Sequence, residues 1–76
     1  MSPLPQISGK KVIAALTRYG YEKDHQTGSH VVMRQSCSPF RRLTVPDHKE
    51  IAKGTLRAII RQAGLTVKEF TALLKN

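Results

Sequence analysis

The chain has 76 residues, which suffices for one small domain, and 13 Lys plus Arg against 5 Asp plus Glu give it a formal charge of +8. That balance favours a polyanion as partner, nucleic acid being the commonest, although an acidic protein would suit the charge as well. The longest wholly apolar run, Val12 to Leu16, is too short for a transmembrane helix, and Cys37 is the single cysteine, so an intramolecular disulfide and a cysteine-based zinc site are excluded.

The opening "MSPLPQISGKK" lacks the basic region, apolar stretch and cleavage site of a secretory signal, so a cytoplasmic protein is expected. A single domain over residues 1–76 is predicted, with residues 1–7, which carry Pro3 and Pro5, as a loosely held arm. Ser8 is placed to cap a helix, because its hydroxyl can accept from a free amide of the first turn. From Gly9 onward Val12, Ile13, Leu16 and Tyr19 share one helical face, with Lys10, Lys11 and Arg18 off it. Gly20 ends the helix.

Tyr21 to Gln26 reads as a short strand, Thr27-Gly28 as a turn, and Ser29 to Gln35 as a second strand supported by Val31 and Val32. Alternation puts His30, Val32 and Arg34 on one face and Ser29, Val31 and Met33 on the other. Each face holds an apolar residue, so the pattern leaves open which one meets the core. "SCSPF" is loop, Arg41 to Val45 a third strand, and Pro46 its end. Short connections favour an antiparallel meander.

"PDHKEIAKGT" is a polar connection with Ile51 as its apolar anchor, and Thr55 is the expected cap of the next helix. Leu56, Ile59, Ile60 and Ala63 form its core stripe. Lys53, Arg57 and Arg61 form a separate row, readable either as a ridge for RNA or as a solvated face. Gly64 closes this helix, and Thr66 with Glu69 matches a capping box opening a short last helix with Phe70, Leu73 and Leu74 on its apolar side. The predicted class is α+β: a two-layer sandwich with helices over one face of a three-stranded antiparallel sheet, the other face being free for a ligand.

The stretch "TGSHVVMR" carries the candidate chemistry. Cleaving RNA through its own 2′-hydroxyl needs a group to move protons and cations to steady the phosphorane. An imidazole titrates near neutrality and suits the first task; Lys and Arg suit the second. His30 sits at the start of a strand, beside Gly28 and Ser29 of the turn, with Arg34 on the same face and Arg42 and Thr44 placed to face it from the third strand. The same spacing also fits an ordinary strand histidine. His25 lacks a supporting turn, and His48 lies in a polar loop. No histidine stands four residues from another, so no metal site is predicted.

Four blocks in order, "SGKKVIAALTRYGY", "TGSH", "LTVPDHKEIAKGTLRAIIRQAG" and "TVKEFTALL", make the chain resemble the HicA family of type II toxins, the small mRNA interferases. The likeness runs from Ile7 to about Leu74. It implies an α-β-β-β-α fold similar to the double-stranded RNA-binding domain, and translation-independent RNA cleavage without a cofactor. The motif histidine, His30 here, would be catalytic, with Gly28 as the motif glycine. It also implies a HicB-type antitoxin partner that covers the active surface. Many members carry a second histidine directly after the motif one; here Val31 follows, on the opposite strand face. The second acid or base is thereby left unassigned among Tyr21, Ser29 and His48. A non-catalytic RNA-binding module with the same fold is the alternative.

Overall fold

A computed structural model describes residues 6–75. The elements are α1 (Gly9–Tyr19), β1 (Tyr21–Thr27), β2 (His30–Gln35), β3 (Arg42–Pro46), α2 (Lys53–Gln62) and α3 (Val67–Leu74). The strands form one antiparallel sheet in the order β1-β2-β3, and the predicted α+β meander holds. Among the described residues no helix is long and apolar enough to cross a membrane.

The sheet's ambiguity is resolved by burial. Val31 and Met33 of β2 and Leu43 and Val45 of β3 lie against the helices at 4% exposure or less. Their partners in the core are Val12, Ala15 and Leu16 of α1, the Leu56–Ile59–Ile60–Ala63 stripe of α2, and Phe70 of α3. Each large side chain buried this way contributes about 1.5–3 kcal/mol. His30, Val32 and Arg34 therefore turn away from the core.

The local signals held where no long-range contact competed with them. Ser8 caps α1, accepting from the Lys11 amide at 3.2 Å. The α3 capping box is complete: Glu69 N donates to Thr66 Oγ1 at 3.0 Å and Thr66 N to Glu69 Oε1 at 2.8 Å. Gly64, at φ 79°, lets the Leu65 amide turn back to the Ile60 carbonyl and close α2.

Three expectations are corrected. Thr55 does not cap α2, which begins at Lys53 after Ala52 with no side-chain cap. Ile51, buried at 2% exposure and donating its amide to the Ile7 carbonyl, holds the backbone where the helix starts, and Leu56 N already bonds to Ala52 O. Tyr19 is not in the core. Tyr21 returns beneath the end of α1, is 1% exposed, and gives its hydroxyl to Ala63 O, so Tyr19 stacks outside it at 6.4 Å and stays 44% exposed. The turn is Gly28-Ser29, because Thr27 and His30 are already paired. The expected arm lies outside the described residues for positions 1–5; Ile7 itself is buried.

Gly9 has a role that its sequence position did not reveal. A Cβ there would run into the Pro46 carbonyl oxygen and come within 2.9 Å of Asp47 Cα. The start of α1 thus lies directly on the end of β3, and Gly9 N donates to His48 O at 2.9 Å.

Candidate active site

The turn between β1 and β2 is a two-residue loop with glycine first. Gly28 has φ 58° and Ser29 is not in the positive-φ region, the pattern of a type II′ hairpin turn. Glycine is required here for its backbone, since a Cβ would meet nothing within 4 Å. The turn is tied down from the other side: Pro46 pairs opposite His30 but has no amide to give, and Asp47 N donates to Ser29 O at 2.6 Å instead. This connection, with the Gly9–His48 bond, ties the Ser29–His30 backbone to both β3 and α1.

His30 is thereby held at the first position of β2, exposed, on the sheet face that carries no helix layer. Val32 and Thr44 are opposite one another, as are Arg34 and Arg42, so both third-strand residues expected to face this row do so. Glu22 stands opposite Arg34 from β1. Two like charges directly across a ladder are unfavourable, and an anion between them relieves the repulsion. Four residues at about 3.3 Å each put Arg34 roughly 13 Å from His30 along the strand.

The other expected residues are placed unequally. Gly28 and Ser29 adjoin His30. Lys53, Arg57 and Arg61 are exposed but do not join this face. Beside the sheet an open groove of ≈ 510 Å³ is lined by Val32, Arg42 and Thr44 on one wall and Thr55, Ala58 and Gln62 of α2 on the other. At about 100° per residue, the Lys53–Arg57–Arg61 row lies on the flank of α2 opposite those groove residues. Tyr21 is removed from the candidates for second acid or base: it is buried on the core side, its hydroxyl is used by Ala63, and burial raises its pKa above the ordinary tyrosine value. Ser29 is in the turn. His48 is exposed, its backbone brought close by the Asp47–Ser29 and Gly9–His48 bonds.

Two features escaped the sequence reading. A β-bulge between Lys23 and His25 shifts the alternation of β1, so His25 pairs with Val32 and joins the His30 face. Asp24, at the bulge, hydrogen-bonds the His25 ring at Nδ1, 3.0 Å away. That bond, aided by the fields of His25, Arg42 and Arg34, holds the Asp24 carboxyl below its ordinary range. No sequence signal marks the bulge. Phe40, 56% exposed at φ 58° in the β2–β3 loop, stands next to Arg41 and Arg42; "PFRR" was the available hint, since an aromatic beside arginines can stack a base. Among the described residues no group of three or more His, Cys, Asp or Glu is placed to hold a metal.

The family model described as HicA toxin of bacterial toxin-antitoxin matches residues 9–65. Among solved structures, a chain from a toxin–antitoxin complex of Streptococcus pneumoniae is 34% identical, with a TM-score of 0.65. The match covers 83% of this chain and 100% of that one. No curated protein matches.

Proposed function

This chain belongs to the HicA family of bacterial toxin–antitoxin toxins, and we propose that it is an endoribonuclease whose acid–base group is His30. The observation that carries this reading is the placement of His30: exposed, on a strand, beside a braced turn, on the free face of a sheet that also presents Arg34 and Arg42. A strand holds a reacting group more firmly than a loop does.

RNA lies along β2 in this reading. The phosphate to be cut sits at His30, close to the backbone of Gly28 and Ser29. The next phosphates reach the Arg34–Arg42 pair, whose mutual repulsion they offset, and Phe40 offers a face for stacking beyond it. His30 moves a proton to or from the sugar oxygens, and the attacking nucleophile is the RNA's own 2′-hydroxyl. The chemistry therefore calls for no cofactor. Lys53, Arg57 and Arg61 would meet a more distant part of the RNA, or the long-range field alone. Messenger RNA is the proposed substrate and the cytoplasm the proposed compartment.

The partner in this reading is a HicB-type antitoxin. The matched structure is of a toxin–antitoxin complex, and an antitoxin covering the His30 face would exclude RNA. An acidic segment would suit Arg34 and Arg42.

The test is cleavage of labelled messenger RNA in EDTA by wild type and by His30→Ala. Cutting by wild type alone is expected. Equal cutting by both removes His30 from the chemistry. Salt-dependent binding with no cutting by either leaves the RNA-binding module as the function.

A further inference from the structure

We propose that His25 is the second acid–base group of the RNA-cleaving site, held in place by Asp24 and donating a proton to the leaving 5′-oxygen. The proposal rests on the ribonuclease reading of His30. It starts from the register. His25 is opposite Val32, and His30 is two residues before Val32 on the same strand. The two imidazoles are therefore diagonal neighbours on one face, and such neighbours stand roughly 7–8 Å apart at the backbone. That spacing leaves room for a phosphate between two ring nitrogens, each within about 2.6–3.2 Å of the oxygen it serves.

The bulge is what makes the arrangement possible. In a regular strand from Tyr21, which is buried, His25 would fall on the core side. The extra residue turns it outward and brings Asp24 onto its Nδ1. Bulges re-aim side chains in this way, and they are over-represented beside active sites. Asp24 Oδ2 accepts from Nδ1–H at 3.0 Å, and the contact is an ion pair when the ring is protonated. Nε2 is then left as the free donor. This is the logic by which a carboxylate orients a catalytic imidazole.

The step balances without water or metal. His30 takes the 2′-hydroxyl proton while the 2′-oxygen forms a bond to phosphorus. The bond from phosphorus to the 5′-oxygen breaks, and His25 Nε2–H gives its proton to that oxygen. The products are a 2′,3′-cyclic phosphate and a 5′-hydroxyl, with one proton moved from each side. The charged and titratable groups around His25 are Asp24 and Glu22 on its own strand, His30 and Arg34 on β2, and Arg42 on β3. The flank of α2 that lines the adjoining groove contributes only the uncharged Thr55, Ala58, Ile59 and Gln62.

The experiment compares wild type, His30→Ala, His25→Ala, His25→Gln and Asp24→Asn on two oligoribonucleotides. One is ordinary RNA; the other carries sulfur in place of the bridging 5′-oxygen at the mapped cut, a leaving group that needs no proton. Both His25 and Asp24 are exposed, so the variants are expected to melt like wild type. His25→Ala and His25→Gln should slow ordinary RNA by about 10²–10⁴-fold, the usual worth of a positioned acid. On the sulfur-bridged RNA both should run near the wild-type rate. Asp24 acts through His25 and is a positioning residue; Asp24→Asn should slow ordinary RNA and leave the sulfur-bridged RNA near the wild-type rate, a split that a merely structural role would not produce. His25 variants that cut ordinary RNA at the wild-type rate overturn the proposal, and so does an equal loss on both substrates. If His30→Ala cuts as fast as wild type, the reading of His30 falls first, and if no protein cuts, the ribonuclease reading falls first; the assignment of His25 falls with either.

Discussion

Replacing Gly9 with alanine should destabilise the protein although alanine is the better helix former. The added Cβ would overlap the Pro46 carbonyl oxygen and stand 2.9 Å from Asp47 Cα, and all of these atoms are backbone, unable to step aside as a flexible side chain would. Overpacking of this kind costs about 1–3 kcal/mol. If α1 retreats, the Gly9 N to His48 O bond at 2.9 Å lengthens, with a loss of about 0.5–1.5 kcal/mol. Alanine returns at most about 1 kcal/mol of helix propensity. The net is a destabilisation of about 2 kcal/mol, which for a domain of this size lowers Tm by roughly 8–16 °C. The assay is urea and thermal unfolding followed by circular dichroism, with an unchanged m-value showing that stability alone has moved. Gly54 provides the control, since it lies in the first turn of α2 and a Cβ there meets nothing within 4 Å. Gly54→Ala should raise stability by about 0.4–1 kcal/mol. A Gly9→Ala protein as stable as wild type would refute the close approach of α1 to Pro46, and with it the bracing of the turn that holds His30.

Gly28→Ala should cost about 1–2 kcal/mol through φ 58° alone, because the site is spatially open; a larger loss in denaturant melts would mean a contact the geometry does not show. Asp24 has a lowered pKa, first through its bond to His25, so its contribution is present above the ordinary carboxylate pKa of 3.8 and is lost as pH falls through the folded value. Asp24→Asn should flatten the acid limb of stability against pH in that range and, because the contribution is also present at neutral pH, lower stability slightly there. Tyr21 has the opposite sign: burial raises its pKa above 10.0, so the folded state keeps the proton, and stability is whole below pH 10.0 and falls as pH rises through the folded value. Tyr21→Phe should remove that alkaline loss and also forfeit the bond to Ala63 O, about 0.5–1.5 kcal/mol at neutral pH. Replacing both Arg34 and Arg42 by alanine should weaken RNA binding and reduce the salt slope by about 1.4 for a single strand; an unchanged slope would take RNA off that pair.

Much of the molecule was legible without coordinates because its signals are local. The Ser8 cap, the Thr66–Glu69 box, the Gly64 stop and the apolar stripe of α2 depend on residues within a turn or two of one another, and each formed as the pattern implied. The family was equally readable, since it rests on the order of short blocks along the chain. The remaining features were settled by contacts between distant segments. Val31 and Met33, rather than Val32, face inward because α1 and α2 can cover only one side of the sheet. α2 begins at Lys53 because Ile51 is buried against Ile7, and that anchor outweighs the capping preference of Thr55. Gly9 is glycine because of Pro46, and His25 faces His30 because one inserted residue in β1 shifts the pairing. Sequence periodicity states which residues share a face; it does not state which face is covered, nor where a ladder slips by one. Those are decided when the layers close on each other and the core admits only one packing.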